Sequence, residues 1–77
     1  MATTIYVYLL DEGVDCWRPV TAEHVRDDIY RIVGEAPDDL EHEKWQFMPG
    51  QLVHCKWQEL VEGVLPKRRL VAYELAN

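Results

Sequence analysis

Five side chains in this sequence could ligate a metal or serve as nucleophile and base: Cys16, Cys55, His24, His42 and His54. No two of them show the Cys-x-x-Cys or His-x-x-x-His spacing of a structural zinc site. His54 and Cys55 are adjacent, so on an extended strand they face opposite sides and cannot share an ion. A thiol nucleophile needs a histidine and an orienting carboxylate beside it, and the sequence places no histidine near Cys16. Cys16, beside a loop, is the more accessible thiol; Cys55 alternates with Val53 and Trp57 and reads as a small core residue. Carboxylates cluster at Asp11, Glu12 and Asp15 and again at Asp38, Asp39, Glu41 and Glu43. They could hold a hard cation, but the spacing of a calcium loop is absent. Four glycines form no phosphate loop, nucleophile elbow or dinucleotide fingerprint. The expectation is a chain with no catalytic residue, no metal and no cofactor. The alternative is a small metal- or thiol-dependent enzyme built on Cys16 and the histidines.

Binding chemistry is better represented. Three Trp, four Tyr and one Phe are more than one small core can hold. Alternation assigns Tyr30, Trp57 and Tyr73 to the inside and Trp45 to capping an open end. Tyr6, Tyr8 and Trp17 are left for a surface patch, rimmed by Glu12, Asp38 and Asp39. Aromatic rings beside carboxylates suit the Arg and Lys side chains of a partner. The formal net charge of −6 repels nucleic acid and anionic membrane, because phosphate binding depends on Lys and Arg. A basic protein partner is the complement of such a surface, although acidity also serves plain solubility. Lys67-Arg68-Arg69 reads as a solvated cluster guarding the edge of the last strand.

The elements that must position these residues are short strands in one domain spanning 1–77. Residues 4–10 alternate Ile5, Val7 and Leu9 with Tyr6, Tyr8 and Leu10, which makes a strand apolar on both faces. Such a strand is covered on both sides by its own domain, by a partner, or by each on one side, and a homodimer through it is one such arrangement. Residues 51–58 and 69–75 read as further strands, and 44–47 as a short one. The segment 17–33 fits either of two patterns. As a helix over 22–33, Ala22, Val25, Ile29, Ile32 and Val33 share a face with Gly34 as the stop; as a hairpin, Val20, Ala22 and His24 alternate with polar residues and Asp27-Asp28 turns. The extended run Trp17 to Val20 tips the reading to the hairpin. The expected fold is all-β, a small five-stranded SH3-like barrel or a bent antiparallel sheet, with α+β as the alternative. Its predicted core is Val7, Val20, Ile32, Val53, Cys55, Trp57 and Val71. No apolar run approaches membrane-spanning length and the N-terminus lacks secretory features, so a cytoplasmic protein with reduced thiols is expected.

Val7-Tyr8-Leu9-Leu10-Asp11-Glu12-Gly13, Asp15-Cys16-Trp17-Arg18-Pro19-Val20, Tyr30-Arg31-Ile32 and Phe47-Met48-Pro49-Gly50 together resemble a family of short, uncharacterised bacterial proteins. The likeness runs from Val7 to about Ala72. It implies a cytoplasmic bacterial protein with a strand–turn–strand in the middle, Arg26-Asp27-Asp28 standing where Gly is frequent, and it supplies no activity. Trp17-x-Pro-Val with a later Tyr-x-Ile is also distantly similar to strand pairs of SH3-like and Tudor-like barrels. The functional expectation is a non-catalytic, acidic protein-binding module, of the inhibitor or immunity-protein kind, that docks on a basic partner. A homo-oligomeric structural protein is a further alternative.

Overall fold

The computed structural model describes residues 2–10, 16–34, 44–62 and 64–76. It is all-β. Six strands follow in order: β1 (Ala2–Leu10), β2 (Trp17–Arg26), β3 (Ile29–Ile32), β4 (Lys44–Trp45), β5 (Leu52–Glu62) and β6 (Leu65–Leu75). The acidic connection expected at 35–44 lies, apart from Lys44, outside the described residues, as does the turn expected at 11–13.

Residues 22–33 form a hairpin and not a helix. Ala22 stands opposite Ile32 and His24 opposite Tyr30, with a register shift between His24 and Arg26. A helix would have buried the same apolar residues, but strands β2 and β3 also satisfy the backbone of β1 and β5, which a helix cannot. The turn requires a left-handed residue, and Asp27 supplies it at φ 46°; short polar side chains tolerate that region better than most. A second turn, Met48-Pro49-Gly50-Gln51, places proline first and Gly50 at φ 92° second. The Gln51 amide donates to the Met48 carbonyl at 3.2 Å, the pattern of a type II turn.

Five of the strands close on one another. β1 pairs with β2, β2 with β3, β3 with β5, β5 with β6, and β6 returns to β1. The first four pairings are antiparallel, whereas β1 meets β6 in parallel through the register pair Tyr6↔Val71. The sheet is therefore mixed, where a bent sheet would have been antiparallel throughout. Short β4 adds to β1 through Leu9↔Trp45 and Leu10↔Lys44. No helix among the described residues is long and apolar enough to cross a membrane.

The ring fills with the inward members of each strand. Ile5, Val7, Leu9, Val20, Ala22, Ile32, Val53, Cys55, Leu70 and Ala72 form one cluster, closed at one end by Trp45 and Phe47. Each large aliphatic side chain in it contributes about 1.5–3 kcal/mol by leaving water. Val7, Val20, Ile32, Val53, Cys55 and Val71 are buried, as expected, but Trp57 is 59% exposed. Its alternation is correct, because its register partner Leu70 is buried on the same side. What fails is the opposite wall. β3 covers β5 only from Leu52 to His54, so at Trp57 the strand has already run past the ring. Tyr73, also expected inside, is exposed: the shift from His54↔Glu74 to Cys55↔Ala72 leaves it as the extra residue of a bulge.

The same overhang takes Pro66, Lys67 and Arg68 into β6, ahead of its expected start at residue 69. Beyond the ring, β5 and β6 continue as a two-stranded ribbon to Glu62↔Leu65. Val53→Ala should cost roughly 1–3 kcal/mol in urea unfolding, through lost transfer and a residual cavity. Trp57→Ala, despite its larger truncation, and Thr21→Ala, on the outer face, should each cost well under that. Equal losses at all three positions would contradict this register.

Candidate functional site

The residues expected to form an interface fall into two groups. Tyr6, Tyr8 and Trp17 lie on the outer face of β1 and β2, while Glu12, Asp38 and Asp39 lie outside the described residues. Tyr8 and Trp17 are register partners, which stacks their rings edge to face at 5.1 Å and 71°. Tyr6 sits two residues along on the same face, and the Arg69 guanidinium lies 5.6 Å from its ring centre. All three aromatics are half-buried. Part of their cover is the ribbon itself: Trp17 shares a crevice of about 200 Å³ with Gln58, Glu59, Leu60 and Val61. Leu60 and Val71 are buried yet stand apart from the ring's interior cluster. The chain thus covers the inner face of β1 fully and the outer face in part from its own elements.

The histidines and thiols are separated by the fold. His24 is exposed, its ring stacked on Tyr30 at 4.6 Å and its Nε2–H donating to the Asp27 carbonyl at 2.6 Å. That bond ties the left-handed turn to β2. His42 lies outside the described residues. Among the described residues no group of three or more His, Cys, Asp or Glu side chains could hold a metal. Cys16 and Cys55 are both free thiols. Cys55 is almost wholly buried, and burial, with the Asp28 charge adding to it, pushes its thiol up to about 12. It stays protonated near neutral pH and is a poor nucleophile there.

A polar cluster without any local signal along the chain joins Asp28, His54 and Tyr73. The His54 Nδ1–H donates to Asp28 Oδ1 at 2.9 Å, and the Tyr73 hydroxyl donates to Oδ2 at 3.3 Å. Lys56 Nζ caps the Tyr73 ring at 5.1 Å. The bulge at Tyr73 makes this possible, because it turns that residue outward beside His54. The His54 hydrogen bond chiefly holds the Asp28 carboxyl below its ordinary value, against some desolvation and helped by the His54 charge and the Tyr73 hydroxyl. The Asp28 carbonyl also accepts from the Cys55 amide at 2.8 Å. Asp28 therefore pins the β2–β3 turn to β5 and β6 through both side chain and backbone. An imidazole oriented by a carboxylate is the framework of acid–base chemistry, but the adjacent thiol, Cys55, points into the core.

A further group of aromatic and cationic side chains gathers where β1 and β6 part. Trp57, Tyr30 and Tyr6 line one open groove with Arg68 and Arg69. Sequence reasoning missed it because Trp57 had been placed in the core.

Two outcomes test this arrangement. Native alkylation should label Cys16 well before Cys55, and labelling of Cys55 should require unfolding. Because the folded Asp28 pKa is depressed, its contribution is fully present above the ordinary aspartate value and is lost as pH falls through the folded one. The difference in melting temperature between the wild type and Asp28→Asn should therefore persist at neutral pH and close below about pH 4.

No family model, curated protein or solved structure matches this chain.

Proposed function

We propose that this protein is a non-catalytic binding module that docks on a basic protein partner, in the manner of an inhibitor or immunity protein. The observation that carries this reading is the apolar end of the β5–β6 ribbon. Val61, Val64 and Leu65 are 78%, 94% and 66% exposed and gather at the tip of the ribbon, where Val61 stands opposite Pro66 and Leu65 opposite Glu62. Isolated exposed apolar residues are ordinary, but several gathered at the tip of a projecting element mark a contact surface. The ribbon begins beside Trp17, so this surface continues towards the Tyr8–Trp17 pair.

Charge supports the choice of partner. Eight of the fourteen acidic residues fall in 11–15 and 35–43. Concentrated carboxylates steer a basic protein during encounter and help reject acidic ones, whereas desolvated apolar anchors govern how long the complex lasts. β1 is hydrogen-bonded on both edges within the chain, so self-association through it would have to use its faces.

The test is kinetic. A basic partner captured from the native host should associate more slowly with Glu12→Gln and Asp38→Asn variants, and more slowly as salt rises. Trp17→Ala and Val64→Ser should accelerate dissociation with little change in association. Salt-independent association, unchanged by all four substitutions, would remove this surface. Turnover or stoichiometric metal that disappears with Cys16→Ser would favour the small enzyme instead.

A further inference from the structure

We propose that the groove between β1 and β6 is a nucleotide site, with a planar base against Trp57 and a phosphate on Arg68 and Arg69. The groove exists because the parallel contact of these strands is the single register pair Tyr6↔Val71. Ahead of that pair in each chain direction the strands separate, and the opening of about 400 Å³ is lined by Thr3, Thr4, Tyr30, Trp57, Arg68 and Arg69, with Tyr6 at its side.

Each lining residue has a part in such recognition. Trp57 presents an exposed indole to the groove, since β3 pairs with β5 only as far as His54. Tyr30, stacked on His24, gives a second flat surface whose orientation is already held. Arg69 lies over the Tyr6 ring, which fixes its guanidinium at the rim, and Arg68 is exposed beside it. The Thr3 and Thr4 hydroxyls add neutral donors and acceptors. Aromatic faces paired with guanidinium groups are what base stacking and phosphate binding require. An acidic peptide would use the arginines and leave the aromatic faces idle, which is why a planar anion is the better occupant.

The overall charge of −6 does not describe this groove. All eight Lys and Arg residues lie among the described residues, with six of the fourteen acids; the other eight acids belong to 11–15 and 35–43. The carboxylate nearest in register is Glu59, opposite Arg68. A nucleotide can be free or one unit of a single strand, and the chemistry of the groove suits both.

The experiment titrates the full chain with adenosine 5′-monophosphate, adenosine, ribose 5-phosphate, a short single-stranded oligonucleotide and an acidic peptide, following tryptophan fluorescence and heat. The monophosphate should bind saturably and quench fluorescence, and loss of either its base or its phosphate should weaken binding by roughly tenfold or more. Trp57→Ala and Arg68→Gln should each weaken it comparably without moving the urea midpoint, while Glu59→Gln should tighten it. Tighter binding of the oligonucleotide than of the monophosphate assigns the site to single strands; equal or weaker binding assigns it to the free nucleotide. Three results would overturn the proposal: no saturable binding of either ligand, binding indifferent to Trp57→Ala and Arg68→Gln, or binding of an acidic peptide alone. The protein-binding reading is tested at Trp17 and Val64 and this one at Trp57 and Arg68, so either can fail without the other.

Discussion

The structure depends on the backbone of β1 being satisfied on both edges. A short chain buries only a little over about 60% of its unfolded surface, and every open sheet edge adds unpaired amide groups and a route to aggregation. Here β2 takes one edge of β1 through seven consecutive register pairs, Ala2↔Glu23 to Tyr8↔Trp17, and β6 and β4 share the other. Once β6 returns to β1 the sheet has an inside. Ile5, Val7 and Leu9 then face residues from every other strand of the ring, although no two of these strands pack as separate layers.

Closing the ring with strands of unequal length has a cost that the molecule displays on its surface. β3 has four residues, whereas β5 and β6 have eleven each. The ring can use only the part of β5 and β6 that a neighbour covers, and the remainder leaves it as a ribbon. Its open edges carry Lys67, Arg68 and Pro66, residue types that discourage further strand addition. One side of the ribbon turns Leu60 towards Trp17 and becomes buried; the other side leaves Trp57 and Val61 in water. Fold geometry and candidate binding chemistry thus have one origin, the mismatch in strand length.

That origin also separates what was legible in the sequence from what was not. Alternation along a strand is a local property, and it correctly paired Val53 with Cys55 and Val20 with Ala22. The turn at Asp27-Asp28 was legible because its residues are turn formers, even though helical periodicity competed over 22–33. The pairing partners of β1 were not legible: a strand apolar on both faces says that both are covered, without saying by what. The exposure of Trp57 and the outward turn of Tyr73 depend on where β3 stops and where β6 bulges, which are properties of other strands. The Asp28–His54–Tyr73 cluster follows from that bulge and had no local signal. Val71 was correctly placed in the interior for an incomplete reason, since it is buried beside Tyr6 on the far side of the sheet from Val53.

Charge follows the same division between framework and connections. The strands carry all of the cations, and most of the carboxylates belong to 11–15 and 35–43. A ladder of paired strands favours this, because Lys and Arg can lay their aliphatic stems along apolar neighbours while the charged ends reach water. Arg69 over Tyr6 and Lys56 over Tyr73 do so here with aromatic faces beneath them. Asp and Glu have shorter stems and lower strand preference, and they gather where the chain leaves the sheet. A net charge read from composition therefore averages cation-rich strands with acid-rich segments of the sequence. The proposed basic partner, drawn by the acid-rich segments, and the proposed anion, held against the strands, are compatible, because at physiological salt charges act over only about 8 Å.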